Sequence, residues 1–478
     1  MVYDICIIGA GITGSLIARE LSRYKLKILV LEKENDVGNV TTNANSAIIH
    51  SGYDPVPGTL KAKLNVLGNA KYDQLTKELD VSFKRIGSLT VAVEDEQLKI
   101  LEELKERSAQ NGVEVKLLNH DEVIAIEPNI TKEVKGALLA PTCGIIDPFN
   151  LCVHAMENAM DNGVELKLNS AVSAINKKDN NWEIHAKSGI YEAKVVINCA
   201  GNHADKIASL IEDIDWNITS RKGEYFVLDH FDDNFIRHTI FPLPSAKGKG
   251  ILVTPTYSGD YLVGPSSEFT NNKEDYATDA FTLNEVKNKS SLLVPNVPFG
   301  ETIRVFSGLR PTPSTHDFII GFSKNDDHFI NVAGIESPGL ASSPAIAEYV
   351  INEYVNKVLK LEANKDFNPY VKPYIRMKYL DENKKKEMIS KNKDFGDIIC
   401  NCEQVTLGEI EDALNRNCPP RSVKALKRRT RAGFGKCQGG FCQPSIVLLL
   451  AKHYNISPLD VLLDDEGSNI LVEKVKNN

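Results

Sequence analysis

Two groups of residues in this chain have types and spacings that could do chemistry. The first is Gly9-x-Gly11-x-x-Gly14, which follows an apolar run, Tyr3 to Ile8, and leads into a stretch of helical spacing, Ser15 to Arg23. The second is Cys400-x-Cys402 with Cys437-x4-Cys442. In the first group each glycine has a physical reason. Gly9 permits a tight turn, Gly11 removes a side chain where a pyrophosphate must approach, and Gly14 lets helix and strand pack closely. The helix start offers free N–H groups and a positive dipole end to phosphates. Lys27 to Leu31 reads as the next strand and ends at Glu32, whose carboxylate can accept bonds from ribose hydroxyls and repels a 2′-phosphate. Strand, turn, helix and acid together predict a dinucleotide site.

The four thiols stand as two tight pairs, with room for two helices between them. Thiolates in this number suit an iron–sulfur cluster or a zinc ion, and the third possibility is reduced, metal-free cysteine. C-x-C is an unusual zinc spacing, and Gly439 and Gly440 would let the loop close around a cluster with N–H groups turned to sulfur. The chain has nine cysteines. An odd count argues against a disulfide framework, and Cys6, Cys143, Cys152, Cys199 and Cys418 read as packing residues. Lys424 to Lys436 carries six basic residues and no acid. It reads as a solvated helix face, or as charge that neutralises a cluster or docks an acidic redox partner. Nucleic acid is a poor fit, because aromatic residues are not interleaved with the basic ones.

Elements must position these groups. The chain has 478 residues, 42% hydrophobic and 25% charged, with a net charge of −8. That balance is globular and excludes a disordered chain or a disulfide-stapled miniprotein. No apolar run reaches the ~20 residues of a spanning helix. No leader peptide is evident, so a cytoplasmic location is expected. Lys194 to Gly201 and His328 to Gly339 repeat the strand-to-small-turn form of the N-terminus, and one sheet could use all three. Pro344 to Leu359 reads as a helix. Ser88 to Val93, Tyr225 to Asp229 and Gly250 to Thr254 have period-two character and predict a second, mixed sheet inserted into the first domain. The charged stretch from about 361 to 395 reads as a connector. Beyond it, Thr406-x-x-Glu409 is a capping box for a helix to about Asn417. Pro419 and Pro420 restart a second helix through about Arg431, and Pro444 begins a third ending near Tyr454.

Three segments carry a family resemblance: TTNANSAIIHSG (Thr41 to Gly52), KVVINCAG (Lys194 to Gly201) and NVAGIESPGLASSP (Asn331 to Pro344). They resemble the FAD-dependent oxidoreductases of the D-amino-acid oxidase-like superfamily. Within it, NSAIIHSGYDPVPGTLKAK and SPGLASSPAIAEY are similar to L-2-hydroxyglutarate dehydrogenases. The layout, a flavin domain with a cysteine tail, resembles the flavin-bearing polypeptide of anaerobic glycerol-3-phosphate dehydrogenases. The tail resembles the [2Fe-2S] domain of bacterioferritin-associated ferredoxin type. The implied fold is α/β: a Rossmann-like FAD domain (about 1–80, 145–212 and 305–360), an inserted mixed β-sheet substrate domain (81–144 and 213–304), a connector (361–395) and a small helical iron–sulfur module (396–478).

The resemblance implies cofactor contacts at Gly9, Gly11, Gly14, Glu32, Thr42, Ser46, Ala200, Gly201, Gly334, Gly339 and Leu340. It implies cluster ligands at Cys400, Cys402, Cys437 and Cys442. Ser307-Gly308-Leu309-Arg310-Pro311 is similar to a substrate-binding segment of the glycerol-phosphate enzymes. Arg310 is therefore expected to clamp an anion, against the alternative of a surface ion pair. His50 is expected to be the base or a flavin-edge contact, against a core histidine. Lys61, Lys63, Tyr53 and His316 are secondary candidates, and Glu336 either serves the flavin or caps a helix. Two basic turn residues of the glycerol-phosphate enzymes are replaced by Tyr53-Asp54 and Ser337-Pro338-Gly339, which favours a carboxylate substrate over a phosphate.

The implied activity is oxidation of a CH–OH group on a small anionic substrate, glycerol 3-phosphate or an L-2-hydroxyglutarate-like acid. Electrons would pass from FAD through [2Fe-2S] to a partner protein or second subunit, which could bring the chain to a membrane peripherally. The alternatives are an amino- or imino-acid dehydrogenase, an NAD enzyme, and a non-catalytic electron-transfer or assembly subunit.

Overall fold

The protein is described by a computed structural model covering residues 1–244 and 250–473. A strand apolar on both faces belongs inside a sheet. Val2–Ile8 (β1) is one, with Ile5, Cys6 and Ile7 wholly buried. The glycine turn passes the chain to helix α1 (Ile12–Leu21) and then to β2 (Ile28–Leu31). β1 pairs in parallel with β2 on one side and with Gly189–Asn198 on the other. Gly189–Asn198 pairs in turn, also in parallel, with Phe329–Ala333. The three strand-to-turn segments therefore open side by side at the carboxyl edge of one eight-stranded sheet, the usual ligand edge of such sheets. Two of them are tied directly, because the Asn198 amide donates to Asn331 Oδ1 (2.9 Å).

α1 packs against the helices Pro148–Asp161 and Gly339–Val350. The second of these starts earlier than the sequence spacing predicts and runs through Pro344. Proline lacks the N–H that would reach the Leu340 carbonyl. The hydroxyls of Tyr72 and Ser343 donate to that carbonyl instead, so the helix continues unbroken.

The second sheet has nine strands. It holds Ser88–Ala92, Leu252–Pro255 and the long antiparallel ribbon Ile218–Leu228 with Thr302–Pro313. All of Thr302–Pro313 runs in this sheet, so the domain division expected at 305 falls inside a strand. Its core is Leu89, Ile240, Val253, Tyr261 and Val263, separate from the apolar cluster under β1 and α1.

The tail is a three-helix module: Leu407–Leu414, Val423–Thr430 and Gln443–Tyr454, packed through Ile410, Leu426, Ile446 and Leu450. Thr406 and Glu409 form the expected capping box. The second helix begins later than Pro419-Pro420 implies, because Ser422 is the cap, accepting from the Ala425 N–H. The connector carries a helix of its own, Glu382–Lys391, capped by Asp381. Its Tyr374 donates to Glu157 on Pro148–Asp161 (3.0 Å), which also receives Arg416 of the module (2.9 Å). The Arg416 guanidinium lies 3.5 Å over the Tyr374 ring. Connector and module are thus fastened to the helix Pro148–Asp161 by a buried ion pair. Among the described residues no helix is long and apolar enough to cross a membrane.

Candidate functional site

A cavity of about 770 Å³ runs from the β1 turn to the ribbon of the second sheet. At the first end, a Cβ on Gly9 would meet the Cys199 carbonyl at 2.4 Å, and one on Gly14 the Gly9 carbonyl at 2.0 Å. A Cβ on Gly11 would meet nothing closer than the Thr42 hydroxyl at 3.5 Å, so Gly11 keeps its face open to the cavity. Thr42 accepts from the Ile12 N–H at the helix start (3.0 Å). Glu32 accepts backbone N–H groups from Ala10 (2.6 Å) and Glu34 (2.9 Å) and lines the cavity. Burial raises its pKa above the ordinary carboxylate value despite those bonds. This cradle fits a dinucleotide: phosphates at Gly11 and the helix start, a ribose at Glu32.

At the other end the cavity is lined by His50, Ser46, Tyr225, Arg221, Arg310, Lys61, His316 and Glu336. The His50 ring packs against Phe241 (5.8 Å between centroids), and its carbonyl accepts from Asn65 and Asn69. Ser46 and Tyr225 share a hydrogen bond between hydroxyls (3.0 Å), and Tyr225 stacks on Phe306. Glu336 receives Lys61 (2.8 Å) on one oxygen and Arg221 (2.7 Å) with Thr312 (2.8 Å) on the other. Burial works against its charge, but Lys61 and Arg221 outweigh it and hold Glu336 below the usual carboxylate range. Arg310 donates to the Ser266 carbonyl (2.7 Å), and burial lowers its pKa. Two cations thus pair with Glu336 and Arg310 stands near them on a carbonyl, which leaves a local excess of positive charge at this end of the cavity.

In the tail, the sulfurs of Cys402 and Cys437 stand 3.6 Å apart, and Cys442 donates to Cys400. That bond lowers the Cys400 pKa, against burial, toward the thiolate that metals require. Backbone N–H groups of Glu403 and Gly433 point at the Cys400 sulfur, and those of Gly439 and Phe441 at Cys437. Cys400 and Cys442 are buried, while Cys402 is exposed. Among the described residues no three side chains converge on one point as a single ion would need. Two thiol pairs ringed by N–H donors fit a dinuclear iron–sulfur centre.

The FAD dependent oxidoreductase family matches residues 4–353 of the sequence. The chain belongs to that family. A BFD-like [2Fe-2S] binding domain matches residues 398–452. The protein is therefore an FAD-dependent oxidoreductase with a C-terminal [2Fe-2S] domain. It is 46% identical to a glycerol 3-phosphate dehydrogenase of Caloramator mitchellensis over 476 residues, 99% of each chain. An L-2-hydroxyglutarate dehydrogenase of Escherichia coli K12 is 30% identical over 289 residues, 59% of this chain and 68% of the other. The solved structure of an L-alpha-glycerophosphate oxidase from Mycoplasma pneumoniae with FAD bound superposes with a TM-score of 0.75 at 30% identity. It covers 78% of this chain and 100% of that one.

In this FAD-dependent oxidoreductase the structure gathers most of the sequence candidates around one cavity. Gly9, Gly11, Glu32, Thr42, Ser46, His50, Ala200, Gly201, Arg310, Gly339 and Leu340 line it. Gly14 stands behind the turn, in the packing place expected of it. Gly334 does not line the cavity. Its φ of +67° and the Pro313 ring, 2.7 Å from where a Cβ would stand, account for the glycine. Lys63 lies by the Tyr349 ring, and Tyr53 is buried on Thr90 (2.6 Å). The Glu336 side chain caps no helix; it anchors Lys61 and Arg221.

Sequence reasoning missed Arg221, Tyr225, Gly223 and Gly435. A Cβ on Gly223 would meet Arg310 Nη2 at 2.5 Å, and one on Gly435 would meet the Cys402 Cβ at 2.5 Å. The available signal was Arg221 and Tyr225 four apart on a period-two strand, which puts both on one face. The basic run 424–436 is neither a solvated face nor a free docking surface throughout. Arg428 and Arg429 are buried on Asp36 (3.0 and 2.8 Å), and Arg431 on Glu403 (2.8 Å) and Asp260 (3.2 Å).

Proposed function

We propose that the chain oxidises glycerol 3-phosphate at its secondary hydroxyl and passes the electrons through the [2Fe-2S] cluster to a separate redox protein. The observation that carries this reading is the charge at the cavity wall. Lys61, Arg221 and Arg310 cluster around the carboxylate of Glu336 and give this part of the wall a local excess of positive charge, the complement of a phosphate. Lys61 and Arg221 supply the positive charge that the turns at Tyr53-Asp54 and Ser337-Pro338-Gly339 lack. The preference for a carboxylate drawn from those turns gives way to a phosphate. The likeness over 99% of the length to a protein named glycerol 3-phosphate dehydrogenase supports the same substrate.

Arg310 and Arg221 hold the phosphate and orient the carbon that reacts. His50 takes the hydroxyl proton on its ring nitrogen as the C–H bond yields its hydride equivalent. Ser46, hydrogen-bonded to Tyr225, and the turns at Ala200–Gly201 and Gly339–Leu340 would hold the flavin and shield it from water. When bound, FAD supplies the acceptor for the two electrons. The relative named oxidase aligns with only 78% of this chain and itself aligns in full. The relative named dehydrogenase aligns across both whole chains. This contrast supports a cysteine module that takes electrons otherwise delivered to oxygen.

The test is a panel of compounds added without oxygen to the purified holoprotein. Glycerol 3-phosphate is expected to bleach the flavin absorbance, and L-2-hydroxyglutarate and glycine are expected to leave it. Bleaching by L-2-hydroxyglutarate alone overturns the substrate assignment.

A further inference from the structure

Lys427 is a buried lysine, 8% exposed, on the helix Val423–Thr430. Its ammonium donates to Gln438 Oε1 (3.2 Å) in the cysteine loop and lies 4.4 Å over the Phe434 ring. Among the described residues no carboxylate pairs with it. The neighbouring acids are occupied: Asp464 by Lys424 and Arg428, Glu403 by Arg431. Its charged neighbours Arg304, Lys424 and Arg431 are themselves positive, and the group that favours its charge is the Cys442 sulfur. Burial first, and these cations second, bring its pKa down to about 7.

A buried ammonium needs an anion. The four thiolates of the cluster are the anion at hand: Gln438, which Lys427 holds, follows Cys437 directly. Four thiolates around a [2Fe-2S] core give an anionic centre, and reduction adds one more negative charge. A fixed cation beside it stabilises the reduced form more than the oxidised one and raises the potential. We propose that Lys427 is the counter-cation of the [2Fe-2S] cluster and sets its potential high enough to accept electrons from the flavin. Lys427 is a positioning and tuning residue, not a ligand. The proposal rests on the cluster lying at the four cysteines.

The test is an anaerobic potentiometric titration of the full-length holoprotein, with the reduced cluster followed by electron paramagnetic resonance. Lys427→Met and Lys427→Gln remove the charge, and Lys427→Arg keeps it. At a fixed solution potential, the neutral variants are expected to lower the ratio of reduced to oxidised cluster about tenfold, which is about 59 mV for a one-electron couple. Lys427→Arg is expected to stay near wild type, with the flavin midpoint unmoved in all three. Unchanged cluster potentials in both neutral variants overturn the proposal. Loss of iron from both neutral variants with retention in Lys427→Arg supports it, and loss from Lys427→Arg as well overturns it. A wild-type protein that binds no cluster after reconstitution defeats the cysteine-site assignment instead, and the proposal falls with it.

Discussion

Arg221 and Arg310 are register partners on adjacent antiparallel strands, two guanidiniums directly across from one another with a single carboxylate, Glu336, on Arg221. Like charges in that relation repel, so the pair is kept at a cost in stability and offers an anion a place between two cations. Removing one member relieves the repulsion and disables the clamp. Arg310→Gln is expected to raise the unfolding free energy of the ligand-free protein slightly, by about 0.5 kcal/mol. Inorganic phosphate should stabilise the wild type by mass action and leave Arg310→Gln unmoved. Thermal unfolding with and without phosphate reads both effects.

The same clamp predicts a kinetic outcome. Arg310→Ala should raise KM for glycerol 3-phosphate about 10- to 100-fold, the worth of about 1.5–3 kcal/mol for bonds to a charged group. An unchanged KM removes Arg310 from the site.

Asp36 gives a pH prediction. Burial pushes its pKa up, and Arg429 and Arg428 outweigh that and hold it below the ordinary carboxylate value. A folded pKa below the unfolded one adds stability that is present above the unfolded value, about 3.9, and is lost as pH falls through the folded one. Asp36→Asn should therefore cost about 3–5 kcal/mol near neutral pH, since it leaves the buried Arg429 guanidinium without a carboxylate and Arg428 with Asp464 alone. It should also lose less further stability than wild type as pH falls below about 4. Denaturant unfolding at several pH values measures the difference.

Much of the fold was legible in the residues. The glycine turn, the Thr406–Glu409 capping box and the three strand-to-turn segments are local signals, and local spacing fixes local geometry. The residues that were missed owe their roles to long-range register. Arg221 is an unremarkable strand residue until Thr302–Pro313 lies beside it, and Gly435 needs the Cys402 loop folded against it. The basic run at 424–436 was ambiguous for the same reason. Its acid, Asp36, is far away in sequence and reaches Arg429 only once the module docks. Gly334 was ambiguous in sequence because a glycine in a flavin-like motif and a glycine beside a proline ring look alike.

Cys402→Ser separates the two redox sites. It removes one thiolate from the Cys402–Cys437 pair and should abolish the cluster signal. The flavin should still be bleached by glycerol 3-phosphate, because His50, Arg221 and Arg310 belong to the other site. Iron analysis and flavin absorbance on one sample check this.

The most direct measurement mixes the holoprotein with glycerol 3-phosphate without oxygen and records flavin absorbance and the paramagnetic signal of the reduced cluster together. The flavin should bleach first and the cluster signal should then appear, both fed by the one substrate. A flavin that stays oxidised, or one that bleaches while the intact cluster never takes an electron, would contradict the account.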